Sequence, residues 1–321
     1  MGGALDPAVA TGRNEVRRAL ADLGSGSRLV VGVSGGADSL ALAAVTAFVA
    51  SREAWSLRAV VVDHGLQTGS PEVAATAAAQ LGTLGVDAEV VAVEVGTGGG
   101  PEAAARTARL CALAAAAQRA DADAVLLAHT LDDQAETVLL GLGRGSGPRS
   151  IAGMVGRDGL WRRPFLTLRR ADTEQICRAS GLSWWVDPHN SDPAYRRSRI
   201  RTEVMPVLED VLGGGVAAAL ARTADQLRAD NDLLDDLAAQ VGDPHDVRAL
   251  ASLPPALRSR VLRRAALAAG ADPAALGAVH LAGLDRLVTD WHGQLRIELP
   301  GGVSAGRRGP SLTFIATPVG Q

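Results

Sequence analysis

Two groups of residues in this chain have the types and the spacing to do chemistry. The first is Ser34-Gly35-Gly36-Ala37-Asp38-Ser39. It follows a run of mostly β-branched residues, Leu29 to Val33, and it opens an apolar, alanine-rich stretch that continues to Ala50. A strand, a Gly-Gly turn and a helix N-terminus make an anion site. Glycine lets the backbone approach a ligand, and the first N–H groups of a helix have no partner within it. Ser34 and Ser39 add hydroxyls. Asp38 is out of place beside a phosphate unless a divalent cation stands between them, so it is a metal candidate as well as a helix cap.

The second group lies between Ala128 and Thr137 and holds His129, Asp132, Asp133 and Glu136. In a helix starting at Leu131, Asp132 and Asp133 stand four and three residues before Glu136, so the carboxylates share one side. Capping accounts for one or two of these acids but not for the histidine at a strand end. The cluster suits metal binding or the grip of an ammonium group. Between the two groups, Val62-Asp63-His64 ends another apolar run, where backbone groups can hold an adenine edge or form an ordinary polar turn. Arg106 and Arg109, three apart, either contact phosphate or form a solvated helical stripe.

These residues need a scaffold, and the patterning predicts one. Strands are expected at 29–33, 57–62, 88–93 and 124–128, with helices at 6–23, 38–50, 71–85, 101–119 and from 131. Strands alternating with helices predict an α/β fold with a doubly wound parallel sheet, its ligands at the carboxyl ends of the strands. The pattern changes after Met205-Pro206. Helices are expected at 207–240 (interrupted at Gly213-Gly214-Gly215), 255–270 and 275–292, followed by a hairpin from 294–299 and 312–315. The expected domains are 1–206, nucleotide-binding and catalytic, and 207–321, a helical appendage that cradles RNA.

Composition narrows the partners. The formal charge of the 321 residues is only −3, yet 12 arginines face 5 acids between Gly141 and Arg201, a local excess of +7. A basic segment inside an acidic protein points to a polyanion, and Arg144, Arg196, Arg197 and Arg201 are its candidates for substrate contact. Cys111 and Cys177 are too far apart in sequence for a Cys-x-x-Cys redox or metal site. No apolar run has membrane-spanning length and no signal-peptide pattern opens the chain, so a cytoplasmic protein without a membrane partner is expected. The chain contains no lysine, which excludes an internal lysine nucleophile and any Walker loop.

The hexapeptide 34–39 resembles the pyrophosphate loop of the ATP pyrophosphatase, or PP-loop, superfamily. Taken in order with Val62-Asp63-His64-Gly65-Leu66, Arg106-x-x-Arg109, Ala128 to Thr137, Gly141 to Gly147, Gly153-Met154, Arg163-Pro164-Phe165-Leu166, Trp185 to Asn190 and Tyr195 to Arg201, it resembles the tRNA(Ile)-lysidine synthetase family. Ser198 stands where that family commonly has asparagine, and Ala37 fills a variable loop position. The resemblance implies a ligase that adenylates C2 of the wobble cytidine of tRNA(Ile) with ATP and then joins free L-lysine to it. It also implies Mg²⁺ beside the pyrophosphate, with Asp38 as its contact, and it admits a homodimer. Asp133 and Glu136, with Asp132 beside them, would hold the lysine ammonium or take its proton. Arg106, Arg109 and His129 would orient substrates and screen phosphoryl charge. The alternatives are another PP-loop enzyme, thiolating tRNA or forming an amide, and a nucleotide-binding regulator without catalysis. Thiolation lacks its extra cysteines here, and amidation lacks a glutaminase domain.

Overall fold

The computed structural model describes residues 5–65, 67, 69–96, 100–145, 147–188, 192–293 and 296–316, without the side chains of Pro101 and Glu102. Leu66, Ser146, His189 and Asn190 of the motifs above lie outside them.

Four strands predicted from β-branched runs form the centre of a six-stranded sheet: β1 (Arg28–Val33), β2 (Ser56–Asp63), β3 (Asp87–Ala92) and β4 (Ala124–Leu126). Two short strands, β5 (Arg157–Asp158) and β6 (Trp161–Arg162), extend it to the order β3-β2-β1-β4-β6-β5. All neighbours run parallel except β5 and β6. The strand order reverses between β1 and β4, and an open α/β sheet binds its ligands at such a switch point. Strand alternation supplies both faces. Leu29, Val31 and Val33 enter a core with α1 (Pro7–Ala19), α2 (Ala37–Glu53) and α3 (Ser70–Thr83), whereas Val30, Val60 and Val125 pack with Leu113 and Ala117 of α4 (Pro101–Arg119). Central strands buried on both faces are why these runs are continuously apolar.

Helix α5 (Leu131–Arg144) follows β4, and the short α6 (Pro148–Ile151) comes next. Helix α7 (Arg170–Ala179) was not expected from the pattern: it is 10 residues long and half of its first turn is charged. Its apolar signal is the set Thr173, Ile176 and Cys177, all buried against the first core. The stretch after it passes through α8 (Arg196–Arg199), a π-turn at Ile200–Val204 and α9 (Met205–Val211).

The chain divides into two compact units, Met1–Thr137 with Met154–Ala221, and Val138–Gly153 with Arg222–Gln321. The expected boundary at 206 falls earlier than the one at 221, and the second unit also takes in 138–153. The second unit contains most of α10 (Val216–Gln240), then α11 (Val247–Ser252), α12 (Pro255–Ala268) and α13 (Ala278–Thr289). Its sheet is a three-stranded antiparallel meander, β7 (Ile297–Leu299), β8 (Val303–Arg308) and β9 (Ser311–Ala316), where a two-stranded hairpin was expected. Strand β8 escapes the pattern because Val-Ser-Ala-Gly-Arg-Arg has little hydrophobic alternation. Among the described residues, no single helix is long and apolar enough to cross a membrane.

Candidate active site

Strand β1 ends at Val33 and delivers the 34–39 loop to the switch point. Gly35 has φ +80°, and a Cβ there would lie 3.1 Å from Val73 Cγ1, so both backbone and space require glycine. Gly36 is different: its φ is −78°, and the nearest atom to an added Cβ is Ser34 Oγ at 3.6 Å. Ser39 braces the loop. Its hydroxyl donates to the Gly36 carbonyl (3.0 Å) and accepts from the Ser34 N–H (3.1 Å), while the exposed Ser34 hydroxyl lies 3.3 Å away. The Gly35 carbonyl accepts from the Trp185 N–H at 3.0 Å. No side chain caps α2, so the amides of its first residues, beginning at Ala37, present the helix N-terminus to a ligand.

Behind this loop runs a ladder of alternating charges. Asp38 faces Arg170 (Oδ2 to Nε, 3.5 Å) and accepts a hydrogen bond from the Thr173 hydroxyl. Arg170 Nη2 donates to Asp133 Oδ1 at 3.0 Å. Arg201 Nη2 lies 3.6 Å from that same oxygen and forks onto Glu136, with Nε to Oε1 at 2.8 Å and Nη2 to Oε2 at 3.2 Å. Asp132 extends the ladder sideways to Arg169 Nε at 3.1 Å and accepts the Arg170 N–H at 2.8 Å. Asp133 also caps α5, accepting the N–H (2.8 Å) and hydroxyl (3.1 Å) of Thr130. Gln134 faces the other way and pairs with both backbone groups of Met154.

Burial raises Asp38 and Glu136 above the usual carboxylate range in spite of their arginine partners. Asp133 goes the other way. Burial pushes it up, but Arg170, the Thr130 N–H, His129 and Arg201 together carry it below its ordinary value.

A basic wall adjoins the ladder. His129, at the end of β4, is pushed down to about 3 by burial and by Arg109, Arg106 and Arg163, against the pull of Asp133. It is a neutral imidazole at physiological pH. Arg109 is lowered by burial and by Arg106 and Arg197. His64 is lowered by burial and by Arg109, while its neighbour Asp63 closes a turn onto the Gly65 N–H at 2.9 Å. His64 Nδ1, Arg109 Nε, His129 Nδ1 and Arg163 Nε are buried with no hydrogen-bond partner among the described residues. Buried unpaired polar atoms are costly, and the two guanidinium N–H donors among these four, Arg109 Nε and Arg163 Nε, suit an incoming polyanion.

The structure therefore brings together the loop, Asp38, Arg109, His129, Asp132, Asp133 and Glu136, with Asp63 and His64 at the end of the adjacent strand β2. Val62 is buried in the core, so only its backbone can serve a ligand. Arg201, a candidate for substrate contact, instead spends its guanidinium on Glu136 and Asp133. Arg196 is exposed and Arg197 half-buried on α8, and the exposed Arg144 belongs to the second unit. Sequence reasoning missed Arg169, Arg170 and Thr173. Their one signal was the 173, 176, 177 apolar spacing, which marks a helix face and so fixes which residues begin that helix.

Among the described residues, no three carboxylate, imidazole or thiol groups gather as a metal cage. Mg²⁺ does not need one, since it is commonly held by one or two carboxylates together with substrate phosphates. Asp38, beside an anion-binding loop, has the donor chemistry for that role.

A family model for the PP-loop domain matches residues 10–208, and one for the TilS substrate binding domain matches residues 246–310. The tRNA(Ile)-lysidine synthase of Thermobifida fusca (strain YX) is 56% identical over 310 residues, covering 94% of this chain and 95% of that protein. The chain belongs to the tRNA(Ile)-lysidine synthase family. The same-named protein of Leifsonia xyli subsp. xyli (strain CTCB07) is 52% identical over 305 residues, 91% of either chain. Among solved structures, the U34-tRNA thiolase NcsA from Methanococcus maripaludis superposes with a TM-score of 0.57 at 18% identity, over 68% of this chain and 79% of that one. At that identity the likeness concerns the fold alone. Family membership makes the protein an ATP-using enzyme of the ligase class.

Proposed function

We infer that this enzyme acts in the cytoplasm and joins free L-lysine to the wobble cytidine of tRNA(Ile) bearing the CAU anticodon. In the first step the C2 oxygen of the cytidine attacks the α-phosphate of ATP, and pyrophosphate leaves. In the second the ε-amine of lysine attacks C2, the C2–O bond breaks, AMP leaves with that oxygen, and a proton is lost from the nitrogen. The observation that carries this reading is the pairing of an anion-binding loop and a basic wall with two unsatisfied guanidinium donors, Arg109 Nε and Arg163 Nε, with a buried carboxylate cluster. Triphosphate chemistry and amine chemistry each find their complement.

In the first step the loop amides and Ser34 would hold the pyrophosphate portion, and Arg106, Arg109 and the neutral His129 would orient the α-phosphate. The end of β2, at Val62 to His64, would hold the adenine edge. Mg²⁺, with Asp38 as its protein contact, supplies charge neutralisation to the leaving group. In the second step Asp133 and Glu136, flanked by Asp132, would receive lysine. Arg201 occupies Glu136 beforehand, but an amino acid carries both charges. It replaces one internal pair with two, its ammonium on Glu136 and its carboxylate on Arg201, so no charge is buried alone. Glu136, raised by burial, is suited to accept the proton that the ε-amine sheds. Arg144, Arg196 and Arg197 would contact the tRNA backbone.

Incubating the enzyme with ATP, Mg²⁺, a tRNA(Ile) transcript and candidate amines, followed by nucleoside mass analysis, tests the reading. Lysidine that appears only with lysine supports it. A thiolated or amidated nucleoside, or ATP binding with no product, overturns it.

A further inference from the structure

We propose that Arg170 is the positioning residue that holds the phosphate half and the amine half of the site in register, an inference that rests on the two-step ligation above. Its main chain is fixed by a site residue: the N–H donates to Asp132 Oδ2 at 2.8 Å. From that anchored first position of α7 the guanidinium reaches two ways. Nη2 binds Asp133 at 3.0 Å, on the helix that carries Glu136, and Nε faces Asp38 at 3.5 Å, on the helix that opens at the 34–39 loop.

Among the described ion pairs, only Arg170 joins Asp38 to Asp133. Those two carboxylates repel each other, and the guanidinium held between them offsets that repulsion. A lysine could not replace it, because a compact ammonium has no planar fork with which to bridge two acids on different helices. Arg170 thus acts on the reaction through Asp38 and Asp133, and it fixes the distance between the metal-side carboxylate and the amine-side carboxylate.

Thr173, one turn further along α7, shares the Asp38 contact but none with Asp133. That asymmetry gives the test. Two steps are measured separately: pyrophosphate release from ATP and tRNA without lysine, and the chase of isolated adenylated tRNA with lysine. Arg170→Met slows both steps about tenfold or more and raises the lysine KM in the chase, as expected for a lost charged hydrogen bond, while the KM for tRNA stays put. Thr173→Val slows pyrophosphate release alone. Should Arg170→Met melt below the assay temperature, Arg170→Lys is used and shows the same two-step pattern in weaker form. An unchanged lysine KM and chase rate in the Arg170 variant overturns the proposal. So does a Thr173→Val enzyme damaged equally in both steps, which would mean that α7 packing is all that matters. A wild-type enzyme that forms no adenylated tRNA overturns the ligation reading instead.

Discussion

The acid wall and the basic wall of the β1–β4 switch point are satisfied to very different degrees. On the acid wall every carboxylate has a partner: Asp38 has Arg170 and Thr173, Asp133 has Arg170 and Thr130, Glu136 has Arg201, and Asp132 has Arg169. On the basic wall four buried nitrogens have no partner among the described residues. The difference teaches how each ligand must bind. An anion completes the basic wall and relieves its guanidinium donors, Arg109 Nε and Arg163 Nε, which cost about 1–3 kcal/mol apiece when left unpaired. A cation has to displace an internal arginine, so the acid wall admits only a ligand that also offers that arginine a new partner. A zwitterionic amino acid does so, and a simple amine does not.

Glu136→Gln breaks the acid wall alone and is expected to have the largest effect. Lysidine formation falls by roughly two orders of magnitude or more, in the range seen when a positioned general base is removed, while pyrophosphate release persists and adenylated tRNA accumulates. Quantifying the trapped intermediate without and with lysine checks this. If pyrophosphate release collapses as well and excess Mg²⁺ restores it, Glu136 belongs to the phosphate half and the two walls are not separate.

Arg109→Met tests the other side. Removing one charge from a wall that already carries Arg106 and Arg163 eases their mutual repulsion, so the folded protein tolerates it. The triphosphate, however, loses a partner. The KM for ATP rises about tenfold, with the lysine KM in the chase unchanged. A rise in both constants would erase the distinction between the walls.

How far this division was legible in the sequence depends on the distance over which its causes act. Strands β1 to β4 and the 34–39 loop were legible because a buried parallel strand leaves an uninterrupted apolar run and a Gly-Gly break follows it. Helix α5 was legible through the spacing of its acids. The partners of those acids were not. Arg201 meets Glu136 across 65 positions of chain, and in sequence it sits among Arg196, Arg197 and Arg199, where a run of like charges suggests solvent. Strands β5 and β6, two residues each, carry no periodicity at all.

His129 sharpens the comparison through pH. Its folded value of about 3 lies below the ordinary 6.5, so between those values the unfolded chain binds a proton that the folded chain refuses. Stability from this group is complete above about pH 6.5 and drains as pH falls toward 3. Burial of the ring is the main reason, with the charges of Arg109, Arg106 and Arg163 adding to it. His129→Gln should therefore lose less stability than wild type between pH 7.5 and 5, by about 2 kcal/mol. Denaturant titrations at the two pH values measure it. Equal losses would mean that the imidazole is already solvated and that the wall exerts no field on it.

The smallest expected effect separates two arginines that the sequence groups together. Eight of the twelve arginines between 141 and 201 are paired with acids of this chain, namely Arg149, Arg157, Arg162, Arg169, Arg170, Arg178, Arg199 and Arg201, of which Arg162, Arg170 and Arg201 have the least exposed side chains. Part of the +7 excess is thus complementarity to acids elsewhere in the chain. Arg196, exposed at the start of α8, is of the other kind. A phosphate contact releases counterions, so Arg196→Ala should weaken tRNA binding only a few-fold at physiological salt yet flatten the log–log salt slope by about one. Arg201 is committed to Glu136 and Asp133, so Arg201→Ala should leave that slope alone and raise the lysine KM instead. Filter binding across a salt series, alongside the lysine chase, reads both. If Arg201→Ala flattens the slope as much as Arg196→Ala does, its guanidinium leaves Glu136 for the RNA, and the acid wall opens when tRNA arrives rather than when lysine does.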